Sequence, residues 1–245
     1  MKIAGQTANK DEIVGYFENT ACDYDASRFG SNYGRFIDAE ERAVLREWLA
    51  KVPPGHVLDM GCGTGRFLEF ADYGLDPSAK MLEVARRKYP HKHLYVGSLG
   101  NLKPPCGLPA AFQAIICMHV LMHLPPAEVE EIISLCADRL APQGWLIIGV
   151  LSRKRRQIRR SIGHYRPQGW HGSSPLSSAD VERLARGRFR LAEVRGVHLF
   201  PNSHWISPLR PVFVPLERLL STTPLADYYR FLMLRLQKVR NSQPC

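Results

Sequence analysis

The pattern of apolar and polar positions divides the chain into a helical N-terminal segment followed by short alternating elements. Ala43, Val44, Leu45, Trp48 and Leu49 recur at helical spacing. Asp38, with Glu41 three residues on, reads as a capping box ahead of them. Pro53-Pro54-Gly55 ends that helix. Beyond it, His56-Val57-Leu58-Asp59 predicts a strand and Arg66 to Phe70 a brief helix. Tyr73-Gly74-Leu75-Asp76 predicts a second strand. Pro77-Ser78 opens a helix through Met81, Leu82, Val84 and Ala85, and Arg86, Arg87 and Lys88 stand at its end, where a helix dipole favours cations. Leu94 to Gly97 is a third strand. Phe112 to Met118 is a fourth, nearly all apolar, as a strand covered on both faces should be. A helix from Glu128 to Leu140 and a fifth strand from Gly144 to Leu151 follow. Ser177-Ser178 caps a helix through Ala185, and Arg190 to Leu199 is a further strand. The proline-rich, apolar segment 201–229 reads as an inserted flap, and Phe231 to Val239 fits a last strand or a helix.

Strands alternating with helices predict an α/β sheet with Rossmann-like, mostly parallel order. A chain of 245 residues suits one domain of this kind. Within it, residues 1–50 form an N-terminal helical lid and 51–152 the ligand-binding core. Residues 153–245 complete the sheet with a basic loop and an acceptor flap.

The strongest chemical signal is Asp59-Met60-Gly61-Cys62-Gly63-Thr64-Gly65, where a buried strand runs into closely spaced glycines. Glycines reach positive φ and lack the Cβ atoms that would block a ligand lying on the backbone. The carboxyl end of a parallel strand is where such sheets bind ligands. A dinucleotide site would place glycine or alanine where this chain has Arg66, so the G-x-G-x-G spacing suits a ligand without a pyrophosphate. Asp76 ends the next strand, where a carboxylate accepts both hydroxyl hydrogens of a ribose.

Charge adds one feature. Lys and Arg total 33 against 23 Asp and Glu, a net charge of +10. Arg153-Lys154-Arg155-Arg156 and Arg159-Arg160 concentrate part of that excess. The stretch suits phosphate on a nucleic acid, a lipid headgroup or a phosphorylated substrate, and equally a solvated linker. The six cysteines show no metal-ligand spacing, and no metal site is expected. No apolar run is long enough for a transmembrane helix, and the N-terminus lacks a signal peptide's apolar core. A cytoplasmic location is therefore the expectation.

At these motifs the chain resembles the class I S-adenosylmethionine-dependent methyltransferases of the methyltransferase type 11 group. The likeness runs from about Tyr16 to Leu199. It implies a seven-stranded sheet, six strands parallel and the last antiparallel, flanked by helices, with S-adenosyl-L-methionine as cofactor. It places Asp59, Gly61, Cys62, Gly63, Asp76, Pro77, Met81, Ser98, Leu99 and Cys117 around that cofactor, with Gly61 and Gly63 under its methionine part and Asp76 on its ribose. Tyr24-Asp25 to Gly34-Arg35 is similar to the family's lid, which makes Tyr24, Arg28 and Tyr33 lid or substrate residues. Two positions depart from the family pattern. Ser98 stands where an acid usually accepts the adenine amine, and Gln113 replaces a common Asp.

Methyl transfer from a sulfonium asks the protein for proximity and alignment, and for a base when a hydroxyl is the acceptor. His119 and His123, beside the fourth strand, are the candidates for that base. The acceptor expected is a small or lipid-like molecule with a hydroxyl, carboxyl or amine. Two alternatives stand beside it: an RNA methyltransferase, suggested by the charge, and a catalytically inactive cofactor-binding partner subunit, suggested by Ser98. The flap around His204-Trp205-Ile206 would roof an apolar pocket or rest on a membrane surface as a peripheral contact.

Overall fold

The computed structural model describes residues 9–97, 108–163, 170, 172–200 and 210–239. Seven strands form one sheet in the order β3-β2-β1-β4-β5-β7-β6. They are β1 Val57–Met60, β2 Tyr73–Asp76, β3 His93–Val96, β4 Phe112–Met118, β5 Leu140–Leu151, β6 Phe189–Val197 and β7 Phe231–Lys238. Strands β1 to β5 pair in parallel, and β7 runs antiparallel between β5 and β6. The last segment is thus the strand that closes the sheet.

Both faces of the sheet are covered, and the central strands show it residue by residue. On β4, Ile115 and Cys117 join one buried cluster while Ala114, Ile116 and Met118 join the other. Leu146, Ile148 and Val150 separate from Ile147 on β5 in the same way, the alternation a pleated strand imposes. The first cluster takes Val129, Ile132 and Ile133 from α5 (Pro126–Arg139) and Val181 and Leu184 from α7 (Ser178–Leu184). The second takes Leu45 and Trp48 from α3 (Asn32–Leu49) and Leu82 and Ala85 from α4 (Ala79–Lys88). Two short helices, α1 (Lys10–Thr20) and α2 (Tyr24–Phe29), precede α3.

Four local expectations are corrected. Asp38 and Glu41 do not cap a helix. Helix α3 starts earlier, with the Ser31 hydroxyl accepting from the Gly34 amide at 3.0 Å, and Asp38 instead pairs with Arg42 one turn on at 2.7 Å. Residues 66–70 form turns rather than a helix, closed by Leu68 and Phe70 amides donating three residues back. The basic stretch is no loop: Arg153–Ser161 is helix α6, with Ser152 as its cap. Like charges one turn apart oppose that helix, and ion pairs of Arg153 with Asp180 (2.8 Å) and Lys154 with Asp227 (2.9 Å) offset them. Part of the expected flap is helix α8, Arg210–Leu220, with Pro215 inside it. Its His204-Trp205-Ile206 portion lies outside the described residues. No described helix is long and apolar enough to cross a membrane.

A close approach pins β6 to the chain entering β7. Tyr229 is 1% exposed, and its hydroxyl donates to the Glu217 carbonyl. A Cβ at Gly196 would strike the Tyr229 ring, with Cδ2 at 2.6 Å and Cδ1 at 2.7 Å. Gly196→Ala should therefore destabilise the fold by about 1–3 kcal/mol, the usual cost of overpacking. Urea unfolding measures it, and an unchanged midpoint would refute the packing described.

Candidate active site

The carboxyl ends of β1, β2 and β4 meet at the glycine loop. The Leu75 carbonyl accepts from the amides of both Gly61 (2.7 Å) and Cys62 (3.1 Å), and the Gly65 amide donates to the Cys62 carbonyl (2.8 Å). Gly61 adopts φ 75°, and a Cβ there would collide with Val120. At Gly63, φ 54°, the Cβ direction meets nothing within 4 Å, so the backbone is open to a ligand.

Asp76 is tied to this loop. Its Oδ2 accepts from the Gly63 amide and its Oδ1 from the Ser78 amide, each at 2.8 Å. A carboxylate has about four acceptor positions, so capacity remains for a ligand. Burial pushes its carboxyl up to about 6, against the lowering effect of the two amides. Asp59 lies deeper, 2% exposed, with Oδ2 lacking any hydrogen-bond partner among the described residues. Burial, with Asp76 adding repulsion, pushes it up to about 8.

A second cluster faces the loop from α3. His119 follows β4 with φ 60°, its amide donating to the Gly149 carbonyl at 2.8 Å. Its Nε2 lies 2.7 Å from Oε1 of Glu41, which is fully buried. The other oxygen of Glu41 pairs with Arg66 at 2.6 Å, and Arg66 also donates to Asp38 at 2.7 Å. Burial alone would push Glu41 up. His119 and Arg66 together outweigh it and hold the carboxyl down at about 2. An ionised carboxylate only accepts, so Nε2–H donates to Glu41 and Nδ1 lies outside that contact.

Helix α2 closes over the loop. Asp25 accepts from the Thr64 hydroxyl at 2.6 Å and pairs with Lys88 at 2.7 Å. The Arg66 guanidinium sits 3.9 Å from the centre of the Phe29 ring.

The glycine loop, Asp59, Asp76, Arg66 and His119 line one cavity of about 510 Å³, within the ~300–1,000 Å³ range of small-molecule sites. Its walls bring together most of the residues singled out from sequence: Asp59, Gly61, Cys62, Gly63, Asp76, Pro77, Met81, His119, His123, Tyr24, Arg28 and Tyr33. Cys117 is not among them. Its position on β4 turns it away from Met118 and His119 and into the core cluster that also holds Cys136. Ser98 and Leu99 lie outside the described residues. His123 lines the cavity, but its Nδ1 accepts from the Gly172 amide at 3.1 Å, so it also braces that loop. Glu41, Arg66, Asp25 and Arg230 were not assigned to the site from sequence. Glu41 and His119 are 78 positions apart, and the only sequence signal was Arg66 in place of a sixth-position glycine.

The lining fits S-adenosylmethionine. The bare backbone at Gly63 admits a ligand, Asp76 offers free acceptor positions to ribose hydroxyls, and the unpartnered oxygen of Asp59 suits a cationic donor such as an amino group.

Comparisons with known proteins agree. A family model described as a methyltransferase domain matches residues 57–144. A trans-aconitate 2-methyltransferase of Rhodopseudomonas palustris is 33% identical over 103 residues, covering 38% of this chain and 40% of that protein. A ubiquinone biosynthesis O-methyltransferase of Chromobacterium violaceum is 28% identical over 154 residues, covering 56% and 65%. The matched stretches thus span less than two thirds of these curated relatives. The fold superposes on magnesium protoporphyrin IX methyltransferase of Synechocystis, solved with bound S-adenosylhomocysteine. The TM-score is 0.65 at 20% identity, over 94% of this chain and 99% of that one. Residues 57–144 are thus similar to a methyltransferase domain, and the fold is that of the solved methyltransferase. The Synechocystis protein has also been solved with bound S-adenosylmethionine. Bound to this chain, that molecule would rest on Gly61 and Gly63 between Asp59 and Asp76.

The two raised carboxyls make cofactor-free stability depend on pH. Folding raises both above the unfolded value of about 4, so the folded state binds more protons than the unfolded chain. Their contribution is complete below about pH 4 and is lost as pH rises through about 6 for Asp76 and about 8 for Asp59. Asp59→Asn should remove the later part of that decline and leave the cofactor-free variant more stable than wild type at pH 8, by on the order of a few kcal/mol. Urea unfolding at pH 6 and pH 8 reads this out, and a variant less stable than wild type at pH 8 would contradict it.

Proposed function

We propose that this protein transfers the methyl group of S-adenosylmethionine to a hydroxyl, carboxyl or amine of a small, partly apolar acceptor, and that His119 is the general base when the acceptor is a hydroxyl. One observation carries the reading: His119 lines the same cavity as the glycine loop, with Nε2 committed to buried Glu41 and Nδ1 outside that contact. When bound, the cofactor supplies a methyl group activated by its sulfonium. The chain's own residues do the rest. Ile13, Val14, Phe17 and Leu124 offer an apolar wall for the acceptor body. His119 would take the proton of the acceptor hydroxyl, and ionised Glu41 would stabilise the resulting imidazolium. Helix α2, latched by Asp25, limits water around the reacting atoms.

The cations of α6 favour a small acceptor over RNA, because Arg155, Arg156 and Arg159 line the cavity. The relatives' names, a trans-aconitate and a ubiquinone biosynthesis methyltransferase, point the same way.

The test is methyl incorporation from labelled S-adenosylmethionine into a panel of hydroxylated and carboxylated small molecules, with transfer RNA alongside. Small-molecule turnover without transfer RNA turnover is expected, and the reverse would overturn the reading. On a hydroxyl acceptor, His119→Ala should lower kcat by about 10²- to 10⁴-fold. Glu41→Gln should lower it less and shift the pH–rate profile. An unchanged kcat in His119→Ala would remove the base from the account.

A further inference from the structure

Among the described residues of the cavity lining, Asp59 and Asp76 lie at the glycine loop together with Arg66, whereas Arg155, Arg159 and Arg230 gather near Tyr33. Arg155 is half-buried, and after burial itself the neighbouring charges of Arg159 and Arg230 weigh most against its protonation. The opposing groups near Arg155 are Tyr33 and Glu217. Glu217 is already engaged, its Oε1 accepting from the Leu199 amide at 2.9 Å and the Phe200 amide at 2.6 Å. Arg156 has a structural task as well, donating to the Gly172 carbonyl. Arg230 instead lies over two rings of the wall, 5.2 Å from the centre of Tyr33 and 5.5 Å from that of Phe231.

Two further facts point to a ligand. The Tyr33 hydroxyl is buried without a hydrogen-bond partner among the described residues, on a ring that lines the cavity under Arg230. Buried hydroxyls are seldom left unpaired. Phe231 joins this end to the base, its ring 5.0 Å from His119 at 87°. A group held by Arg155 and Arg230 would therefore leave the rest of the same molecule beside His119. Arginine guanidinium groups bind planar or tetrahedral oxyanions through paired N–H donors, and a phenolic hydroxyl adds a third donor.

We propose that Arg155, Arg230 and the Tyr33 hydroxyl form an anion-binding end of the acceptor site, which holds a carboxylate or phosphate group of the molecule to be methylated. This rests on the methyltransferase reading above and adds to it the chemical class of the acceptor: an anion with a short apolar body and a methylatable group near His119. The basic residues of α6 then serve substrate selection inside the cavity.

Calorimetric titration of benzoate, phenyl phosphate and neutral benzyl alcohol tests this, each into protein saturated with S-adenosylhomocysteine. At least one of the anions should bind wild type, and benzyl alcohol more weakly. Arg155→Gln and Arg230→Gln should each weaken anion binding by about tenfold or more and leave benzyl alcohol unaffected. Tyr33→Phe should weaken it by a few-fold. The benzoate and phenyl phosphate arms tell a carboxylate site from a phosphate site. S-adenosylhomocysteine affinity within about twofold of wild type in every variant shows that fold and cofactor site are intact. Anions that bind no better than benzyl alcohol, or equally well to the variants, would overturn the proposal while the methyltransferase reading stands. Loss of S-adenosylhomocysteine affinity in the arginine variants would reassign these residues to the cofactor's own carboxylate and overturn it too. A folded wild type that binds no S-adenosylhomocysteine would defeat the parent reading and this proposal together.

Discussion

The site depends on a buried carboxylate at the end of β2 that holds a loop it does not belong to. Asp76 accepts from the Gly63 amide across the loop and from the Ser78 amide at the start of α4. The Leu75 carbonyl beside it accepts from Gly61 and Cys62. Four backbone donors of the turn and helix entrance therefore converge on two consecutive residues of one strand. The loop must turn sharply to reach them, which puts Gly61 and Gly63 at positive φ. Burial makes the free carboxylate costly, and a ligand presenting donors would relieve that cost.

A second chain of charge runs beside the first and ties the lid to the sheet. His119, Glu41, Arg66 and Asp38 follow one another in contact from β4 across α3 and the glycine loop. Glu41 at its centre is fully buried yet ionised, because the Arg66 guanidinium lies against one oxygen and His119 Nε2–H donates to the other. Removing one partner from such a pair leaves an uncompensated buried charge. The arrangement therefore fixes the His119 ring, and it explains why Arg66 occupies the position where a dinucleotide site would need glycine. The cavity between these groups carries Asp59 and Asp76 at the glycine loop and Arg155, Arg156 and Arg159 at α6.

What the sequence revealed follows from the range of the interactions involved. The central strands were legible because a strand covered on both faces must be apolar throughout, as Phe112–Met118 is apart from Gln113. The glycine loop and Asp76 were legible because their geometry is local. Glu41 was seen only as a helix cap, since its partners lie 25 and 78 positions away and nothing nearby marks the residue as buried. Cys117 was assigned to the cofactor from family likeness, whereas the two-residue period of β4 sends it to the opposite face from Met118. Helix α6 was hidden because six cations in eight positions present no apolar stripe. Its stability comes from Asp180 and Asp227, which are distant in the chain.

The most direct test is calorimetric titration of S-adenosylmethionine and S-adenosylhomocysteine into wild type and Asp76→Ala. The account predicts binding by wild type and an affinity lower in the variant by at least about tenfold, as befits the loss of a charged acceptor of two hydrogen bonds. Equal affinity in the two proteins, or no binding by a folded wild type, would contradict it.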